Sequence, residues 1–371
     1  MKKKIVFVRG FHIDPEPRLE KAIKWLNESF SNIIILAIGW DREKKSKKNE
    51  NKNGYQINRM TGFGAYGKGF KRNILGLILF NIYVFIKLLF NKVDIIHACD
   101  LDTAIPCYII AKLKRAKLVY DIYDFYSDNR NLKCFDMPVR KLEQFIAKKA
   151  DLTIICDERR MSQLAEQNIG LSNVIVIYNT PDDYFNKDKM ENSYTIGYVG
   201  VLIENRRILE TIQCLSKAGC NMVCAGFGIL DDKIKAECVT NDKVKFFGKV
   251  DYTTALKLEA SCRAILAMYD PSLKNNRYAA PNKLCEAMML SKPIITSKGT
   301  LCAEIVENEK IGFVIEHNNE KEMIETLKFI KENKEVVNAM GKRARMLYEE
   351  KYSANIAKET LILNYKNLLG D

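Results

Sequence analysis

Histidine is scarce in this chain of 371 residues, with three in all, and the 11 cysteines form no CxxC pair and no Cys/His cluster with metal-ligand spacing. That excludes a zinc centre. The cysteines sit singly, mostly in apolar runs such as Ile154-Ile155-Cys156 and Met222-Val223-Cys224, as small buried hydrophobes in a reducing compartment. A secretory leader is not expected either, because Arg9 ends the apolar stretch after Met1-Lys2-Lys3-Lys4 within four residues, the pattern of a first β-strand. There is no internal repeat or low-complexity tract. Basic and aromatic residues do not interleave in the manner that stacks bases, which sets nucleic acid aside as a partner.

What is present is enough apolar material for two cores. The length exceeds that at which one core stops growing, and 47% of the residues are hydrophobic. The formal charge of +13 is unevenly placed: residues 1–120 hold 23 Lys and Arg against 10 Asp and Glu, and the remainder is balanced. The first domain therefore either faces something anionic, such as the inner leaflet of a membrane, or carries a solubilising surface. The stretch from Ile74 to Phe90 is strongly apolar, but Asn73, Asn81 and Lys87 interrupt it. A spanning helix is not expected. The two readings left are a helix packed on the amino-terminal sheet and one lying in a membrane interface with Lys68, Lys71, Arg72 and Lys92 on anionic lipid.

Short apolar runs alternate with longer amphipathic stretches throughout, the signature of parallel sheets covered on both faces. In the first half, strands are expected at 4–8, 33–38, 93–97, 117–122, 152–156 and 174–177. Helices are expected at 16–28, 72–91, 102–114, 138–149 and 158–167, and residues 41–52 read as a polar, mobile loop. A second series follows, with strands near 195–199, 221–225, 244–247, 264–268, 293–296 and 312–315. Its helices fall near 205–217, 229–239, 252–260, 282–290, 302–307 and 319–350, and a last one spans 354–369. The division is then 1–180 as a first domain, 181–193 as a linker and 194–353 as a second domain, with the terminal helix 354–371 packing back on the first. Fold class is α/β, with two doubly wound Rossmann-like domains.

The segment Tyr269-Asp270-Pro271 through Pro281-Asn282-Lys283-Leu284-Cys285-Glu286-Ala287-Met288 reads strand, loop, helix. Pro281 suits a first helical turn, and the free amides after it can hold a phosphate. Lys283 and Glu286, three residues apart, share a helix face, so a cation for phosphates and a carboxylate for sugar hydroxyls project together. A surface ion pair is the weaker reading, because Leu284, Ala287 and Met288 mark the opposite side as core. Gly197-Tyr198-Val199-Gly200 followed by Arg206-Arg207, and Ala225-Gly226-Phe227-Gly228, are strand-to-glycine turns that suit phosphate, although such turns need glycine whatever they bind.

These residues resemble family 4 of the GT-B glycosyltransferases. The likeness rests on Ala225-Gly226-x-Gly228, Phe246-Phe247-Gly248-Lys249 and Lys283-Leu284-x-Glu286-Ala287-Met288, in that order, and less specifically on Asp14-Pro15-Glu16-Pro17-Arg18, His97-Ala98-Cys99-Asp100-Leu101-Asp102 and Val119-Tyr120-Asp121. It covers nearly the whole chain. The resemblance implies two domains facing across a cleft and a donor nucleotide sugar held by the second, through Gly200, Arg206, Gly226, Gly228, Tyr278, Asn282, Lys283 and Glu286. Arg206 and Lys283 would meet the diphosphate, Glu286 the ribose, and Gly10 the cleft side of the first domain. No metal and no cofactor beyond the donor substrate is implied. Two departures stand out: Tyr278 replaces a glutamate that usually contacts the transferred sugar, and Tyr123 replaces a strand-end histidine. Donor identity and stereochemistry are left open by them.

Transfer needs positive charge on the departing diphosphate and, if inverting, a base for the acceptor hydroxyl. Asp124 and Asp100, at carboxyl ends of expected parallel strands, are the candidate catalytic residues, with a helix cap or a loop carboxylate as the alternative for each. Of the histidines, His97 reads as strand-end structure, His12 as a further titratable candidate and His317 as a solvated loop. The expectation is a metal-independent hexosyltransferase acting on a glycan or lipid-linked acceptor in surface-polysaccharide assembly, cytoplasmic and peripheral at the inner membrane face. Competing readings are a catalytically degenerate homologue serving as a nucleotide-sugar-binding scaffold, motivated by Tyr278 and Tyr123, and a sugar-nucleotide epimerase.

Overall fold

A computed structural model describes residues 2–65, 69–128, 130, 132–164, 172–185, 193–278 and 281–370. The chain divides into two compact units, Met1–Tyr178 with Ala357–Asp371, and Asn179–Ile356. Of the segment read as a linker, 186–192 lies outside the described residues.

The first unit is built on strands β1 (Lys3–Arg9), β2 (Ile33–Asp41), β3 (Asn49–Lys52), β4 (Tyr55–Thr61), β5 (Ile95–Cys99), β6 (Lys117–Ile122), β7 (Leu152–Ile155) and β8 (Val174–Val176). Their order is β3-β4-β2-β1-β5-β6-β7-β8, parallel except for the β3–β4 hairpin. Helices α1 (Pro17–Ser29), α2 (Gly69–Phe90), α3 (Leu101–Lys114), α4 (Asp136–Lys149) and α5 (Met161–Leu164) connect them. The helix expected to 167 is described only to Leu164, since 165–171 lie outside the described residues.

The region 41–52 is not a loop throughout. Asn49–Lys52 pairs antiparallel with Tyr55–Asn58, and the turn between them places both Asn53 (φ 51°) and Gly54 (φ 80°) in the left-handed region. Asn-Gly is the pair a type I′ hairpin favours, because it tolerates positive φ at both positions. Charge spacing hid the hairpin: β3 alternates exposed and half-buried polar residues with no apolar one.

Sheet residues alternate sides, so Val6, Val8, Leu36, Ile38, Ile96 and Tyr120 form one face. Phe80, Val84 and Leu88 of α2, Cys107 and Ile110 of α3, and Ile146 and Ala147 of α4 pack onto it. Each such buried aliphatic side chain contributes about 1.5–3 kcal/mol. The stretch read as apolar at 74–90 is thus a helix packed on the sheet by one side, although by length and composition it could cross a membrane. Its other side leaves Ile74, Leu75, Ile78, Ile82, Ile86, Leu89 and Phe90 exposed.

On the opposite sheet face, His97 stacks on Phe7 with ring centres 4.4 Å apart. Its Nδ1 lies 2.6 Å from the hydroxyl of Tyr365, on the terminal helix Ala354–Leu369. His97 is therefore a core residue that ties the carboxyl terminus to the first unit.

The second unit has β9 (Tyr194–Leu202), β10 (Met222–Gly228), β11 (Val244–Phe246), β12 (Cys262–Ala267), β13 (Ile294–Ser297) and β14 (Gly312–Ile315), all parallel, in the order β11-β10-β9-β12-β13-β14. Helices α6 (Ile208–Ala218), α7 (Asp231–Thr240), α8 (Tyr252–Ala260), α9 (Lys274–Arg277), α10 (Asn282–Met289) and α11 (Leu301–Asn308) follow. The single helix expected at 319–350 is two, α12 (Glu320–Glu332) and α13 (Lys334–Leu347), divided at Asn333, whose ψ of 58° is not helical; a π turn then covers Tyr348–Tyr352. Helix α14 (Ala354–Leu369) closes the chain. Nine of the 11 cysteines are buried.

Candidate donor site

The carboxyl ends of β9 and β10 and the start of α10 meet in the second unit. Here doubly wound sheets place ligands, because strand ends and helix amino termini leave backbone amides unpaired. Gly226 (φ 146°) is required by packing: a Cβ would collide with the carbonyl oxygen of Gly200. Gly228 stands likewise against the carbonyl of Leu202. Gly200 differs, since a Cβ there would meet Lys283 Cε at 3.2 Å. The lysine side chain thus lies across the glycine turn.

Lys283 is held between two carboxylates. Its Nζ donates to Glu259 Oε1 at 2.9 Å and lies 3.8 Å from Glu286 Oε2. Glu259, fully buried at the end of α8, has its carboxyl pushed up to about 7 by desolvation, which the Lys283 ammonium opposes and Glu286 reinforces. Lys283 is itself raised, because attraction to Glu259 and then Glu286 outweighs the burial that would lower it. The hydroxyl of Tyr252 donates to Glu286 Oε1 at 3.1 Å. Glu259 and Tyr252 were not found in the sequence, yet they stand seven residues apart on α8, two turns on one face, which is the signal that could have revealed them.

Of the two arginines after β9, Arg207 is occupied by Glu210 at 2.9 Å. Arg206 lies flat over the buried Tyr269 ring, 3.8 Å from its centre, and its Nη1 is buried with no hydrogen-bond partner among the described residues. An unpaired buried guanidinium nitrogen costs free energy unless something accepts from it. Together with Lys283 and the α10 amides, the arrangement fits an anion with several oxygens.

Pro281 caps α10 in an extended conformation (φ −72°, ψ 137°). Asn282 is exposed, its Oδ1 accepting from Asn179 Nδ2 at 2.5 Å. Tyr278 is half-buried, just before residues 279–280, which lie outside the described residues. His317 is not a solvated loop residue: it is half-buried, 2.8 Å from Ser297 Oγ, and burial lowers its pKa.

The first-unit candidates part company. Asp100 sits at φ 60°, and its carboxylate accepts from the amide of Tyr123 at 2.8 Å and from Arg9. Both oxygens are thus engaged, one by the Tyr123 amide and the other by Arg9. Asp124 pairs with Arg160 at 3.1 Å yet keeps 39% of its side chain exposed. Crowding by surrounding protein lifts its carboxyl above the ordinary range, against the pull of Arg160. Gly10 lies against the start of α3, where a Cβ would sit 3.0 Å from Asp102 Cβ, and its carbonyl accepts from Arg42 at 3.1 Å. Tyr123 lies between two guanidinium groups, Arg9 at 4.1 Å and Arg18 at 4.7 Å from its ring centre.

Residues 179–347 match the family described as glycosyl transferases group 1. The capsular polysaccharide biosynthesis glycosyltransferase CapM of Staphylococcus aureus is 25% identical over 197 residues, 49% of this chain and 48% of that protein. The chain thus matches about half the length of this curated relative. Among solved structures, sucrose-phosphate synthase of Thermosynechococcus elongatus superposes with a TM-score of 0.77 at 12% identity, covering all of both chains. HepE of Anabaena, in complex with UDP and glucose, gives 0.70 at 15% identity over 98% of this chain and 100% of that one. The chain has the two-domain fold of these GT-B structures. Within its second unit, residues 179–347 match the group 1 glycosyl transferases.

Proposed function

We propose that the protein transfers a hexose from a nucleoside diphosphate sugar to a glycan or lipid-linked acceptor in the assembly of a surface polysaccharide. The observation that carries this reading is Lys283, poised over Gly200 between Glu259 and Glu286 and accompanied by the unpaired Nη1 of Arg206. Charge builds on the diphosphate as the glycosidic bond breaks, and preorganised cations stabilise it where it develops. Lys283, Arg206 and the α10 amides supply that stabilisation without calling on a metal ion. Glu286, steadied by Tyr252, is placed to accept from ribose hydroxyls. Asp124, with its raised pKa, is the carboxylate suited to receive the acceptor proton. The match to CapM and the UDP and glucose bound by HepE favour a nucleotide-sugar donor.

Incubation with UDP-, GDP- and dTDP-hexoses and a glycolipid extract should release nucleoside diphosphate only when donor and acceptor are both present. Binding without release for every pair would replace this reading with that of a nucleotide-sugar-binding scaffold.

A further inference from the structure

We propose that the outer face of α2 and α3 docks onto an anionic lipid bilayer, laying both helices on the membrane rather than through it. Helices α2, α3 and α4 cover one face of the first sheet, so their outer sides point the same way. On α2 the outer residues Ile78, Ile82 and Ile86 are 52%, 50% and 49% exposed, at intervals of four that keep them in one stripe. On α3 Ile105, Ile109 and Leu113 repeat that spacing and are 44%, 42% and 64% exposed. The helices adjoin, Asn81 Nδ2 of α2 donating to the carbonyl of Asp102 at 2.9 Å. A soluble surface seldom gathers so many large aliphatic residues on neighbouring helices without covering them.

Charge selects the occupant. The carboxyl ends of α2 and α3 lie side by side, since Lys114 Nζ donates to the carbonyl of Asn91 at 2.6 Å. That end carries Lys87, Lys92, Lys112, Lys114 and Arg115. The two helices hold one acid between them, Asp102, which is paired with Arg130. An apolar panel with a basic border suits acyl chains beneath anionic headgroups. Spanning is ruled out by the other side of α2, whose Phe80, Val84 and Leu88 are fully buried under the sheet.

The test is sedimentation of the full chain with vesicles of phosphatidylglycerol and phosphatidylcholine in equal parts, against vesicles of phosphatidylcholine alone. Partitioning should be at least tenfold greater into the anionic vesicles. It should fall at least tenfold in the triple variant Ile78→Gln, Ile82→Gln, Ile86→Gln, and in the triple variant Lys92→Gln, Lys112→Gln, Arg115→Gln. Far-ultraviolet circular dichroism and nucleotide binding, which report the fold and the donor site separately, should be unchanged. Equal partitioning of variants and parent overturns the proposal. So does a parent dimer in sedimentation velocity that the isoleucine variant dissolves, which would assign the face to a second copy.

Discussion

Lys283 is the residue on which the proposed donor site turns, and its environment makes it costly to alter. Glu259 is wholly enclosed, and the lysine is the cation that keeps its carboxylate compatible with burial. Removing one member of such a pair costs roughly 3–5 kcal/mol, whereas replacing both by neutral groups can be nearly free. Lys283→Met should therefore lower the urea midpoint steeply, and Lys283→Met with Glu259→Gln should regain most of the loss. The pH dependence has a definite sign. The carboxyl of Glu259 is raised from 4.5 to about 7, so between those values the folded protein keeps a proton that the unfolded chain has released, and stability from this group declines as pH rises. Without the ammonium the carboxyl rises further, so the decline should extend to higher pH. A single variant as stable as the parent at pH 8 would show that Glu259 is not enclosed with Lys283 as its partner.

Among elements, those with a strong period were legible and those defined by polar pairing were not. Helix α10 and its Pro281 start could be read because Leu284, Ala287 and Met288 set the buried side and left Lys283 and Glu286 together on the other. Helix α8 was placed correctly at 252–260, but nothing local says that Glu259 reaches a lysine 24 residues on; that contact is made by the parallel order of the sheet. Asp100 shows how long-range partners stay hidden in sequence. A strand-end carboxylate looks catalytic in sequence, and only the fold reveals that Arg9, 91 residues away, and the Tyr123 amide already use it. The β3–β4 hairpin went unread because β3 has no apolar residue, even though Asn53-Gly54 announces the turn. With φ at 80°, Gly54→Ala should cost about 1 kcal/mol, read as a lowered midpoint in chemical denaturation. An unchanged midpoint would mean that the turn relaxes to another type.

At the scale of the whole molecule, the two units divide the labour. The first carries nearly all of the excess positive charge and the exposed aliphatic panel, and the second carries the lysine, arginine and glutamate proposed to hold a nucleoside diphosphate. The central claim is that Arg206, Lys283 and the start of α10 grip a diphosphate while Glu286 holds the ribose. Titration calorimetry with UDP, GDP and dTDP, each compared with its monophosphate, tests it most directly. The account predicts that one diphosphate binds at least tenfold more tightly than its monophosphate, that Arg206→Gln removes that preference, and that Glu286→Gln weakens both nucleotides alike. Binding that ignores the second phosphate, or that survives Glu286→Gln unchanged, would contradict it.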